Sequence, residues 1–175
     1  SNREEVRYAN DVLRSLGYRV KEGEHVYART QYLAGTDRQR AADVNTMFAD
    51  PDVHAIFTLR GGYGTMRTLP YLDYELIAKN PKIVIGYSDI SGLLFGLHAR
   101  TGLVGFHGPC ATSTFSEYTL AEYKKVVVEP RPSAVIADPP QVDYPEGRAE
   151  RRNRITTFID GRARGPLIGG NLSLL

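Results

Sequence analysis

Cysteine is nearly absent from this chain of 175 residues, and no long apolar run is present. The single cysteine, Cys110, excludes an internal disulfide framework and fits a reducing compartment. No apolar stretch reaches the roughly 20 residues that a membrane-spanning helix needs. The formal net charge of +2 at pH 7 is too small to indicate a nucleic-acid or membrane partner. Short motifs within an ordinary globular composition must therefore carry the interpretation.

Two common kinds of site are also missing from the sequence. The four histidines, at positions 25, 54, 98 and 107, lack metal-binding spacing such as H-E-x-x-H. The glycine-rich run at residues 60–64 (RGGYG) is neither a Walker loop nor G-x-G-x-x-G. Its amides could bind an anion, whether a phosphate or a developing oxyanion, or its glycines could simply form a tight turn with positive φ.

What the sequence does contain is an alternation of strand-like and helix-like segments. Buried strands are predicted at residues 53–59, 82–85 and 104–106, and helices at 6–16, 36–48, 89–100 and 118–129. This alternation is typical of an α/β domain with a flavodoxin- or Rossmann-like parallel sheet flanked by helices. Ligands bind such sheets beyond the carboxyl ends of the strands. The glycine run and residues 86–91 each follow a predicted strand, so we expect a shared site there.

Ser88 lies where the second predicted strand turns into a helix, in the segment KIVIGYSDIS at 82–91. Hydrolases present a nucleophilic serine on such a turn, and the pattern G-x-S-x-G is matched except at its last position, Ile90. The same serine could instead be the N-cap of the helix, with Asp89 favoured by the helix dipole. Both interpretations stand on these residues alone, because no general base accompanies the serine.

Three further side chains are candidates for binding a substrate. Arg60 could offer its guanidinium to a substrate carboxylate, or form a surface ion pair. His107, on a loop after the third predicted strand, could line a pocket or serve only the structure. Tyr63, within the glycine run, completes the set.

The order of short segments along the chain resembles that of the LD-carboxypeptidases, serine peptidases of bacterial cell-wall recycling. The segments that carry the resemblance are DPDV at 50–53, RGGYG at 60–64, LPYLD at 69–73, NPK at 80–82, GYSD at 86–89, HGP at 107–109 and GGNL at 169–172. The resemblance implies hydrolysis of the amide before a terminal D-residue, with D-alanine released from a murein tetrapeptide and no metal or organic cofactor. A branch that resembles microcin self-immunity proteins acts on a peptidyl-nucleotide instead, and a non-catalytic anion-binding module is the alternative from another class.

The resemblance also implies roles for individual residues. Ser88 is the nucleophile, and the backbone N–H of Asp89 with one from Gly61 or Gly62 forms the oxyanion hole. The glutamate and histidine of the family's triad belong to a second, C-terminal domain and match no residue of this chain, so the chain alone is expected to be inactive.

The domain organisation follows from the same resemblance. We expect an N-terminal α/β domain at residues 1–137 without its first strand, a linker at 138–164, and the start of a second domain at 165–175. The expected partners are a murein peptide and a second copy of the protein, with no nucleic acid and no membrane. Because no signal-peptide pattern opens the chain, a cytoplasmic location is predicted.

Overall fold

A computed structural model describes residues 2–131, 135–137 and 157–174. They form two compact units, Ser1–Thr114 with Gly169–Leu175 and Phe115–Ile168. Both candidate loops lie in the first unit. In the described part of the chain, no helix is long and apolar enough to cross a membrane. Most of the predicted linker, residues 138–156, lies outside the described residues, and the predicted domain boundaries stay predictions.

The first unit is built on a sheet of three parallel strands. They are β1 (Ala55–Phe57), β2 (Ile83–Gly86) and β3 (Phe106–His107), in the spatial order β1-β2-β3. Ala55 pairs with Ile83, and Ile85 pairs with Phe106. The central strand β2 is buried because apolar elements cover it, which explains its uninterrupted β-branched sequence. The predicted α/β fold with a parallel sheet is confirmed, although β1 is shorter than its predicted run at both ends, and β2 and β3 each begin and end later than predicted.

Five α-helices are present among the described residues: α1 (Arg3–Ser15), α2 (Asp37–Ala49), α3 (Tyr74–Lys79), α4 (Ser91–Thr101) and α5 (Glu117–Tyr123). Three 3₁₀ helices, at Thr65–Tyr71, Ser88–Ile90 and Leu172–Leu174, and a π-helical turn at Lys124–Val128 complete them. Thr36 begins α2 with a capping box, because its hydroxyl accepts from the Gln39 N–H while the Gln39 side chain accepts from the Thr36 N–H.

One helix was not predicted, and another prediction was wrong in its first turn. The sequence does not indicate α3, which has only six residues and depends on the Asp73 cap and on the complete burial of Ile77. The helix predicted from residue 89 begins instead with a 3₁₀ turn at Ser88–Ile90 and becomes α-helical only at Ser91.

Glycines on α4 let the first 3₁₀ helix approach α4 closely. A Cβ atom on Gly92 would lie 2.6 Å from Met66 Cγ, and one on Gly96 would lie 2.7 Å from Leu69 Cδ2. A larger residue at either position would force the Met66 or Leu69 side chain to move. The residues that follow the glycine run are thereby packed against the helix that follows Ser88.

The chain beyond β3 crosses the carboxyl end of the sheet. The N–H of Gly108 donates to the Gly86 carbonyl at 3.2 Å, and those of Ala111 and Thr112 donate to the carbonyls of Thr58 and Leu59 at 2.9 and 3.1 Å. Residues 108–112 therefore tie together the ends of β1 and β2, from which the two candidate loops leave.

Candidate active site

Ser88 has the backbone geometry of a sharp strand-to-helix turn. Its φ is +61°, and among the described residues only one other non-glycine, Gln31, has a left-handed backbone. The preceding Tyr87 is still extended (φ −142°, ψ −176°), and Ser88 begins the 3₁₀ turn that leads into α4. A serine held in this strained conformation at the carboxyl end of a parallel strand matches the turn that carries hydrolase nucleophiles.

The N-cap interpretation of Ser88 is wrong. An N-cap residue has an extended backbone and a side chain that accepts a hydrogen bond from the first turn. No side-chain cap bond begins the 3₁₀ turn or α4, and the left-handed backbone of Ser88 is incompatible with that role. The half-buried hydroxyl of Ser88 is thus not committed to the helix.

The glycine run lies directly against Ser88. A Cβ atom on Gly61 would lie 2.9 Å from Ser88 Cβ and 3.3 Å from Ser88 Oγ. Gly62 and Gly64 have φ values of +137° and +95°, which other residues rarely adopt. The run is therefore both a tight turn and a close backbone approach to the serine, and the two loops that were expected to share a site lie side by side.

Gly86 is required by packing beneath the turn. A Cβ atom there would overlap the Thr58 hydroxyl and lie 2.7 Å from Ile90 Cγ2. The Thr58 hydroxyl is itself fixed, because it donates to the Ile85 carbonyl at 3.0 Å. The first glycine of the partial G-x-S-x-G pattern thus allows the turn to pack closely on the neighbouring strand.

Asp89 joins the two loops through its side chain. Its carboxylate is buried, with 7% of the residue exposed, and accepts from the N–H of Thr65 at 2.8 Å and from the Thr65 hydroxyl at 2.6 Å. Thr65 follows the glycine run immediately. This pairing could not be predicted from the sequence, because the two residues lie in separate elements.

The remaining candidates surround these loops with exposed side chains. Arg60 is 54% exposed, and its Nη1 lies 3.9 Å from Glu5 Oε1 in a surface ion pair. Tyr63 is 71% exposed, and its ring centroid lies 6.5 Å from that of Tyr32. His107 is exposed at the end of β3, where it pairs with Gly86 in the sheet. Arg60 and Tyr63 are thus exposed within the glycine run, and His107 lies beside Gly86, two residues before Ser88.

The described residues do not supply a base for Ser88. No hydrogen bond within them joins any histidine to the serine, and His25 is instead paired with Asp43 at 2.7 Å. No group of three or more histidine, cysteine, aspartate or glutamate side chains in the described part of the chain is arranged to hold a metal ion.

Comparison with known proteins places this geometry in a family. Residues 1–108 match the family model described as the LD-carboxypeptidase N-terminal domain. A probable murein peptide carboxypeptidase of Bacillus subtilis is 39% identical over 168 residues, which cover 93% of this chain and 48% of that protein. The microcin C7 self-immunity protein MccF of Escherichia coli is 30% identical over 182 residues, covering 94% of this chain and 53% of that protein. The chain therefore spans about half the length of these relatives.

Solved structures agree with the sequence comparison. A structure of MccF in complex with aspartyl sulfamoyl adenosine matches with a TM-score of 0.67 at 31% identity, covering 74% of this chain and 40% of that one. A muramoyltetrapeptide carboxypeptidase from Oxalobacter formigenes matches with a TM-score of 0.63 at 34% identity, covering 70% and 43%. The parallel sheet, the turn at Ser88 and these matches lead to one conclusion: the chain belongs to the LD-carboxypeptidase family.

Proposed function

We propose that the protein is a serine carboxypeptidase that hydrolyses the amide between an L-centre and a terminal D-amino acid. The observation that carries this proposal is the left-handed Ser88 at the end of β2, with Gly61 packed against its side chain. The family to which the chain belongs supports the reaction class.

In the proposed mechanism, Ser88 Oγ attacks the carbonyl carbon of the scissile amide. The carbonyl oxygen becomes an oxyanion, which the backbone N–H of Asp89 and one from Gly61 or Gly62 stabilise. Removing one such donor costs about 2.7–4 kcal/mol of transition-state stabilisation in a well-studied serine peptidase. The carbon–nitrogen bond then breaks, the amine of the D-residue leaves with a proton, and water hydrolyses the acyl-enzyme.

The proton of Ser88 needs a base that the described residues do not provide. By the family resemblance we assign this role to a histidine that a glutamate orients, both in a second domain of the full-length protein. The members of a catalytic triad are distant in sequence and meet only in the folded protein, so the base and its orienting group can come from another domain.

The proposed substrate is a murein tetrapeptide from which D-alanine is released. Support comes from the relatives whose names specify murein peptide or muramoyltetrapeptide carboxypeptidases. Arg60, Tyr63 and His107 would contact the peptide, because they are exposed around the two loops. The guanidinium of Arg60 suits the free carboxylate of a terminal D-residue.

A peptidyl-nucleotide is the second candidate substrate. The solved relative MccF is described in complex with aspartyl sulfamoyl adenosine, and its TM-score of 0.67 to this chain is close to the 0.63 of the muramoyltetrapeptide enzyme. A non-catalytic anion-binding module is the third alternative, supported by the glycine run alone.

One set of variants of the full-length protein tests the proposal. We expect release of D-alanine from a murein tetrapeptide and its abolition by Ser88→Ala. Ser91→Ala is the matched control, because that hydroxyl is fully buried and has no hydrogen-bond partner among the described residues. Unchanged release by Ser88→Ala would overturn the serine mechanism. Hydrolysis of an aspartyl-adenylate analogue alone would favour the second candidate, and saturable phosphate binding without hydrolysis the third.

The proposal extends to the protein's organisation. We propose an N-terminal domain at 1–137, a linker at 138–164, a second domain from 165, a homodimer and a cytoplasmic location. Light scattering of the full-length protein tests the dimer, and fractionation of the source cells tests the location.

A further inference from the structure

Charged side chains hold both polar groups of one peptide unit, the one between Gly64 and Thr65. The Gly64 carbonyl accepts hydrogen bonds from both Nη atoms of Arg40, each at 3.2 Å. The N–H of the same peptide, on Thr65, donates to the Asp89 carboxylate at 2.8 Å. A cation at the carbonyl and an anion at the N–H both match the peptide dipole, so the two interactions favour the same orientation.

The guanidinium of Arg40 is itself held in place by Asp37. Its Nη2 donates to Asp37 Oδ1 at 2.5 Å, and Asp37 Oδ2 accepts from Arg67 Nε at 3.0 Å. The Arg40 side chain is 17% exposed, compared with 54% for Arg60. Its guanidinium is thus an immobile donor to the backbone, whereas that of Arg60 is turned towards solvent.

This peptide closes the far end of the glycine run. The near end follows β1, where the carbonyls of Thr58 and Leu59 accept hydrogen bonds from residues 111 and 112. Between the two ends lie Gly61 and Gly62, whose backbones have little intrinsic preference for one conformation. Their amides can keep a fixed direction only if both ends of the run are held.

We propose that Arg40 is a positioning residue for the oxyanion loop, defined as residues 60–64. It acts through the Gly64 carbonyl and does not touch the substrate. The inference rests on the proposed function, since the loop is assigned there as a source of an oxyanion donor. A helix residue 24 positions from Gly64 in sequence would then set the catalytic rate.

The first test compares Arg40→Gln and Arg40→Lys in the full-length protein. We expect kcat for D-alanine release to fall by up to about 10²-fold, the effect of a shift near 1 Å in a catalytic group, with KM nearly unchanged. Affinity for a peptide boronic acid, with boron in place of the scissile carbonyl carbon, should fall by the same factor. Arg40→Lys should lose less activity than Arg40→Gln, because lysine keeps the positive charge but lacks the two guanidinium nitrogens that both reach the Gly64 carbonyl.

Arg38→Gln is the matched control, because Arg38 lies on the same helix with its guanidinium 4.5 Å from the Tyr71 ring centre and does not reach the loop. It should leave kcat and boronate affinity unchanged. A merely structural role would lower the stability of the Arg40 variants without this parallel loss. Arg40 variants with wild-type kcat and boronate affinity would overturn the inference.

Amide hydrogen exchange separates this inference from the proposed function. In folded Arg40→Lys, and in Arg40→Gln where it folds, exchange of the Thr65 amide, which donates to Asp89, should be faster than in wild type. Exchange in Arg38→Gln should match wild type. If wild-type protein releases no D-alanine, the proposed function fails, but this measurement still tests whether Arg40 holds the Gly64–Thr65 peptide in place. Unchanged protection in the Arg40 variants would overturn it.

Discussion

The carboxylate of Asp89 accepts two hydrogen bonds from Thr65, one from its N–H at 2.8 Å and one from its hydroxyl at 2.6 Å. Asp89 follows Ser88, and Thr65 follows the glycine run. The two loops that leave β1 and β2 are therefore connected by a buried, charge-assisted contact in addition to the sheet. The Asp89 contact therefore supports the relative position of the two loops in addition to the packing of Gly61 on Ser88.

Thr65→Val should destabilise the full-length protein more than Thr68→Val does. The first change removes a donor to a buried carboxylate, which costs about 1.5–3 kcal/mol, whereas the second removes a neutral bond to the Thr65 carbonyl, worth about 0.5–1.5 kcal/mol. The two threonines lie in the same 3₁₀ helix, so the substitutions are closely matched. Urea unfolding measures both, and an equal loss would show that the Asp89 contact carries no extra stability.

Gly86→Ala should be strongly destabilising, and Gly108→Ala should not. The added methyl at 86 meets Thr58 and Ile90, and such overpacking costs about 1–3 kcal/mol. At 108 the nearest atom would be Ile85 Cγ2 at 3.7 Å, an ordinary contact, so we expect a change within about 0.5 kcal/mol. The two glycines are joined by a backbone hydrogen bond and share one environment. Similar unfolding free energies for the two variants would contradict this account.

Gly61→Ala should reduce D-alanine release by the full-length protein more than it reduces stability. Its Cβ would lie 2.9 Å from Ser88 Cβ, so either the serine or the loop must move. A displacement near 1 Å costs up to about 10²-fold in rate. Steady-state kinetics and thermal unfolding are compared with Gly108→Ala, which should keep its activity. A Gly61→Ala variant with the wild-type rate would argue against an oxyanion donor in this loop.

Acid should weaken the interactions that hold Arg40 against the Gly64 carbonyl, because Arg40 is itself hydrogen-bonded to Asp37. Burial raises the pKa of Asp37, but hydrogen bonds from Arg40 and Arg67 outweigh it and hold the pKa below the ordinary value of 3.8. A carboxyl whose pKa is lowered on folding stabilises the folded state above its unfolded pKa, and this contribution is lost as the pH falls through the folded pKa.

The stability difference between wild type and Asp37→Asn measures this contribution. It should be constant near neutral pH and should shrink below about pH 3.8, and an NMR titration of the Asp37 carboxyl should give a midpoint below that value. A difference that grows as the pH falls would contradict the assigned sign.

Much of the sheet could be predicted from local sequence. The β-branched run before Gly86 and the apolar run before Arg60 both correspond to strands, because buried parallel strands have near-continuous apolar sequences. The capping box of Thr36 and Gln39 likewise identifies the start of α2 from two residues. These features depend on neighbours in the chain, which a sequence pattern records directly.

The contacts that shape the candidate site could not be predicted in this way. The N-cap and nucleophile interpretations of Ser88 share the same residues and differ in a backbone angle, which the packing of Gly86 on Thr58 helps to set. The bonds from Arg40 to Gly64 and from Thr65 to Asp89 each span 24 residues. Such pairs form only when tertiary packing brings their elements together, so local sequence spacing does not predict them.

The left-handed backbone of Ser88 sets folding and chemistry against each other at one position. An L-residue with a side chain loses about 1–2 kcal/mol in this conformation, whereas glycine adopts it without that cost. Selection for the amount of folded protein alone would therefore drive position 88 towards glycine. Serine at this position costs stability that glycine would not, and under the proposed mechanism the reaction of its hydroxyl is what offsets that cost.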